Sequence, residues 1–195
     1  MTVTPYPEAA RSLLRQTVLD AVDALIRHQG WATTTMASIA TRAGVSRQTV
    51  YNEFGSRQGV AEAYVHREID GLVERVEATV REHAGDPHAA LRRAFELFLQ
   101  AASDEPLVKT IVAGTEGSDL LALLTSIGRA VAVTHLSALM AELWPAVDEQ
   151  DAQVLAESLV RLGISHAVFP TGSPEAAADA VSQVIGPFVE QVTRS

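Results

Sequence analysis

From Ala43 to Asn52 the chain reads Ala-Gly-Val-Ser-Arg-Gln-Thr-Val-Tyr-Asn. The polar side chains in its second half are of the kind that read nucleic acid. Arginine makes bidentate hydrogen bonds to guanine, and glutamine or asparagine makes them to adenine, at base edges open in the major groove. Arg47, Gln48, Thr49, Tyr51 and Asn52 are therefore candidate DNA contacts, presented together at the start of one short helix. Tyr51, with Thr35 and Arg57 nearby in sequence, has the chemistry for phosphate oxygens. Ser46 caps the helix and completes the set.

Such side chains work only if two short helices cross steeply over a tight turn. Ala40 and Ala43 are small enough for the crossing, and Gly44 supplies a turn residue tolerant of positive φ. Val45 and Val50 can plug the small core beneath. Helical spacing continues on either side, and strand alternation is nearly absent. A first helix is expected over Glu8–Gln29, short helices over Met36–Ala43 and Arg47–Phe54, and a long one from Ser56 to about His83. Beyond Gly85-Asp86-Pro87, helices are expected to about Ala102, over Leu107–Ala113, Ser118–Leu143 and Asp148–Phe169, and from Pro174 onward. The fold class is all-α with about nine helices. Residues 1–55 form a helix-turn-helix head and residues 56–195 a helical body for ligand binding and dimerisation.

The run Gly30-Trp31, Thr35, Ile39-Ala40, Gly44-Val45-Ser46, Tyr51, Phe54 and Arg57 has the spacings of a known head. Over about Arg11 to Tyr64 it resembles the DNA-binding domain of the tetracycline-repressor-like (TetR) family. Arg57 stands where that family usually has Lys, and Asn52 where His is frequent. The resemblance implies an all-helical homodimer with a variable C-terminal ligand domain that controls transcription, usually by repression. The body is also similar in general look to actinobacterial regulators of lipid or alkane use. Arginine outnumbers lysine fourteen to one, which suits a GC-rich genome.

Charge is distributed to match. Residues 1–67 carry seven arginines against five acids, whereas the remainder carries eight basic and nineteen acidic groups, within a net charge of −9. A mildly basic head on an acidic body favours one orientation on double-stranded DNA.

In the body, Leu155, Leu159, Leu162, His166 and Phe169 recur at helical spacing, and Ala156 and Gly163 permit close approach. With Val181, Val184, Ile185 and Phe188 they are candidates for a homodimer seam. Gly186-Pro187 interrupts the last helix's hydrogen bonding. Phe95, Phe98, Leu120, Leu124, Ile127, Val131 and His135 are candidates for a pocket holding a small, mostly apolar, lipid-like effector. Arg129, Thr134 and Ser137 are further polar anchors for it.

Phosphate-loop, dinucleotide, zinc-protease and nucleophile-elbow motifs are absent, and the six histidines are scattered. No enzyme, cofactor or metal is expected. Cysteine is absent, the opening Met1–Pro7 is short and polar, and the uncharged stretch Ala130–Ala141 is too short to span a bilayer. A cytoplasmic location without membrane contact is expected. The rival readings are a helical enzyme or carrier with a vestigial head, and an activator that needs no effector.

Overall fold

A computed structural model describes residues 6–104 and 118–193 of the chain. Eight helices, and no strand, are present among them: α1 (Tyr6–Gln29), α2 (Met36–Ala43), α3 (Arg47–Phe54), α4 (Arg57–Glu82), α5 (Pro87–Asp104), α6 (Ser118–Leu143), α7 (Glu149–Val168) and α8 (Pro174–Thr193). The short helix expected over Leu107–Ala113 lies outside the described residues.

Local chemistry sets the helix ends. The Thr35 hydroxyl accepts a bond from the Ser38 amide at 3.1 Å, while the Thr35 amide donates to Ser38 Oγ at 2.9 Å. This reciprocal cap satisfies two amides at the start of α2 that would otherwise lack partners. Gly44 closes α2 with φ 69°, a left-handed turn that side chains resist. Ser46 Oγ accepts from the Thr49 amide at 3.0 Å and opens α3. Asp86 and Asp148 cap α5 and α7 through the Ala89 and Asp151 amides, at 3.0 and 2.8 Å. Helix α8 runs on through Pro187.

The chain divides into two compact units, Met1–Arg67 and Glu68–Ser195. In the first, Val18, Val22, Ile39 and Val50 are fully buried where α1, α2 and α3 meet. The opening turns of α4 belong to this core, because Val60, Ala61, Tyr64 and Val65 are also buried. Tyr64 keeps its hydroxyl satisfied by donating to Asp23 at 2.9 Å. The head thus reaches Arg67, past the boundary at residue 55 expected from sequence.

In the second unit α6 packs along α7, and α5 packs on α7 and α8. Leu91, Phe95 and Leu99 of α5, Leu139 and Met140 of α6, Leu155 and Leu159 of α7, and Val181 and Val189 of α8 share one core. The indole of Trp144 donates to the Ala84 carbonyl at 2.8 Å. Arg92 on α5 bonds Asp179 on α8 at 2.6 Å. His88 sits against α8 at Gly186, with its Nε2 2.9 Å from Ser182 Oγ.

Candidate functional site

Helix α3 buries Val50 and Phe54 and leaves Arg47, Gln48, Tyr51 and Asn52 exposed on its other side. That division follows from spacing alone, since residues three and four apart share a face. Gln48 Nε2 donates to Asn52 Oδ1 at 2.7 Å, so the two amide side chains stand side by side. Thr35, Ser46 and Thr49 carry their hydroxyls at the helix starts, where they serve as caps or cap partners; Ser46 Oγ and Thr49 Oγ1 are 2.8 Å apart.

Arg57 is placed differently from an outward phosphate contact. Its Nε donates to the Thr34 carbonyl at 2.8 Å and its Nη2 to the Trp31 carbonyl at 2.6 Å. The guanidinium also lies 4.1 Å from the centre of the Trp31 ring. Arg57 thus clamps the turn between α1 and α2.

A second clamp was not visible in the sequence. Glu53, on the inner side of α3, has a side chain only 9% exposed and accepts from Arg11 at 2.9 Å and Arg15 at 2.7 Å, both on α1. Burial pushes the Glu53 carboxyl up, but the two arginines outweigh it and hold the group below its usual range. Charge of opposite sign at positions 11, 15 and 53 is the signal that could have revealed the pair; the distance between them in the chain hid it.

The second unit contains a partly open cavity of about 120 Å³. Its size is close to the ~150 Å³ of an apolar cavity that takes a small hydrocarbon. Its wall comes from four helices: Ile69, Leu72, Val73, Val76 and Glu77 of α4; Phe95 and Phe98 of α5; Gly128, Ala132 and Leu136 of α6; Leu159, Val160 and Ile164 of α7. Phe95 and Phe98, both candidate pocket residues, line this cavity.

The α6 residues are one position out of register. Ile127 and Val131 are half-buried beside the wall, which is made by Gly128 and Ala132. Leu120 is buried but does not line the cavity, and the Leu124 side chain lies outside the described residues. His135 is 51% exposed, outside the cavity, with Nδ1 2.9 Å from Glu77 Oε1. Arg129 is exposed, and Thr134 and Ser137 bond backbone carbonyls of their own helix. An apolar surface nearly encircles α6, so no polar stripe marks which side faces inward. Glu77 and the α4 wall were missed, although positions 69, 72, 73 and 76 carry helical apolar spacing.

The candidate dimer residues divide. Leu155, Leu159 and Val181 are buried in the chain's own core, and Leu162 and Phe188 pack half-buried against it. His166 meets Phe95 edge to face at 6.1 Å. Phe169 and Val184 are open, at 74% and 78% exposure, as is Val154 at 50%. Ala156 is buried. Gly163 makes room within the chain, since a Cβ there would stand 2.9 Å from the Phe98 ring.

A capped helix-turn-helix with an exposed second helix defines a DNA-binding regulator of transcription. The comparisons agree. Residues 18–64 match the bacterial regulatory proteins of the tetR family, and residues 86–187 match the bacterial tetracyclin repressor C-terminal domain. The chain is 38% identical, over 96% of its length and 90% of the relative's, to the HTH-type transcriptional regulator AlkX of Mycobacterium tuberculosis. It is 32% identical to the crystal structure of the TetR family repressor AlkX from Dietzia, implicated in biodegradation of n-alkanes, at a TM-score of 0.76 over 91% of this chain and 98% of that one. A TetR-family regulator from Pectobacterium atrosepticum shares the fold at 19% identity and TM-score 0.66, over 96% and 97% of the two chains. The chain belongs to the TetR family; it is a transcriptional regulator and not an enzyme. Among the described residues no helix is long and apolar enough to cross a membrane.

Proposed function

We propose that the protein is a cytoplasmic repressor that binds a palindromic operator as a homodimer and leaves it when a small, mostly apolar molecule fills the cavity. The observation that carries this reading is the cavity wall, which is apolar on all four helices. Such a wall cannot offset desolvation of a multiply charged ligand, whereas an aliphatic chain loses nothing by entering. The Dietzia relative, a repressor tied to n-alkane breakdown, supports the same ligand class.

Arg47, Gln48, Tyr51 and Asn52 are the proposed readers, with Thr35, Ser46 and Thr49 at the helix starts. Release requires that the ligand bind the DNA-incompetent state more tightly than the competent one; equal affinity would shift nothing. The test is a footprint on DNA flanking the protein's own gene, repeated with a panel of n-alkanes and their oxidised derivatives. A palindromic footprint that the aliphatic compounds erase, with a raised melting temperature, is the expected result. Release by a polyanionic metabolite, with the aliphatic panel inert, would overturn the reading.

A further inference from the structure

Seven arginines make the head basic, but the fold does not leave them equally available to a partner. Arg11 and Arg15 both bond Glu53. Arg27 pairs with Asp23, and Arg67 with Asp20. Arg57 is turned onto the carbonyls of Trp31 and Thr34. Arg42 and Arg47 are left, both exposed, and among the described residues neither side chain has a hydrogen bond, ion pair or ring contact within the protein. They flank the Gly44 turn, Arg42 in the last turn of α2 and Arg47 at the first position of α3. Helix α2 buries Met36, Ile39 and Ala40. Arg42 lies one helical turn beyond Ser38, which itself bonds the cap Thr35, so one outer stripe of α2 carries the cap at one end and the cation at the other.

We propose that Arg42 is the phosphate contact of the head, the cation that grips the DNA backbone beside the groove that Arg47 reads and so sets affinity for DNA of any sequence. In helix-turn-helix docking the second helix enters the major groove and the first crosses the backbone. Arg47, at the start of α3, is therefore set toward base edges, and Arg42, on α2, toward phosphate. An unpaired guanidinium brings its full charge to a phosphate and can fork two hydrogen bonds onto its oxygens. A paired one brings its acid's negative charge with it, which is the position of Arg11, Arg15, Arg27 and Arg67. The contact needs neither a palindromic site nor an effector. A purely structural Arg42 would act instead on the negative end of α2, and would show itself in stability and not in DNA binding.

Fluorescence anisotropy of the full-length protein tests this on two labelled duplexes, one from DNA flanking its own gene and one of random sequence, from about 50 to about 200 mM salt. Arg42→Gln should weaken binding to both duplexes by a similar factor. It should also flatten the plot of log affinity against log salt by about 0.9 for each head on the DNA. Arg42→Lys, which keeps the charge and loses only the fork, should restore the slope. Arg27→Gln removes a cation that Asp23 already pairs, and should leave the slope as it was. Thermal melting without DNA should place Arg42→Gln close to the unaltered protein. A slope that Arg42→Gln leaves unchanged overturns the proposal, and a lowered melting temperature alongside it would make Arg42 a helix-end residue only. A loss confined to the gene-flanking duplex overturns it too, since Arg42 would then read bases. Equal flattening by Arg27→Gln would sink the assignment, because pairing within the head would not decide which arginine meets phosphate.

Discussion

Arg57 has the charge for a phosphate contact, yet two of its three guanidinium nitrogens donate to the carbonyls of Trp31 and Thr34. Its removal should therefore lower stability in the absence of DNA. Arg57→Ala should cost on the order of 1–3 kcal/mol in chemical unfolding. Arg57→Lys, which keeps the charge and loses the planar fork, should recover only part of it. Full recovery by lysine would return the residue to a purely phosphate-binding role. Arg47→Ala, by contrast, should leave stability unchanged and weaken specific binding by about 1–3 kcal/mol, with relaxed preference at one position in each half-site.

Glu53 adds a pH dependence. Its carboxyl lies below its ordinary value in the folded head, so the folded state favours the ionised form. The stability it contributes is complete above the unfolded value near 4.5 and is lost as pH falls toward the lower folded value. Thermal melting across the acid range should show that loss, and Glu53→Gln should flatten it.

At the scale of helices, two glycines set how closely neighbours approach. A Cβ on Gly163 of α7 would come 2.9 Å from the Phe98 ring on α5, and that ring lines the cavity. Gly163→Ala should push the ring into the space. Ligand-induced stabilisation should then disappear while the unliganded protein remains folded and binds its operator. A Cβ on Gly186 of α8 would stand 2.5 Å from His88 Nε2, inside any allowed contact. Gly186→Ala should displace His88 from Ser182 and cost about 1–3 kcal/mol in urea unfolding, as overpacking does. An unchanged midpoint would show that the α5–α8 contact adapts freely.

At the scale of the assembled molecule, Leu155 and Leu159 of the candidate seam are buried in the chain's own core, whereas Phe169 and Val184 stay open. Leu159 belongs to the chain's own core and lines the cavity, so a charge there would damage the fold before it tested any interface. Val184 and Phe169 are the large apolar groups that α8 and the end of α7 leave open. Val184→Glu should leave the fold intact and put an unpaired charge into the proposed seam, a cost of several kcal/mol. Size-exclusion chromatography at micromolar concentration should then show a monomer, and operator affinity should fall. A dimer that survives the change would place the interface on another face.

The head was legible in the sequence almost residue by residue. Thr35, Gly44 and Ser46 act on the backbone within three or four positions of themselves, so the bounds of α2 and α3 follow from local chemistry. The exposed set Arg47, Gln48, Tyr51 and Asn52 follows from the helical period once Val50 and Phe54 are assigned inward. The clamps could not be read in the same way. Glu53 meets Arg11 and Arg15, and Arg57 meets Trp31, only because the chain folds back, and nothing in sequence distance announces those pairs.

In the body the helices were legible and their inward faces were not. An apolar pattern says that a helix is buried but not against which neighbour. The sequence therefore could not choose between Ile127 and Gly128 for the cavity wall, or between core and seam for Leu155 and Leu159. Tertiary packing made those choices, because burying a face stabilises it equally against the chain's own helices or another's, and only the relative placement of α4 to α8 decides which surface remains.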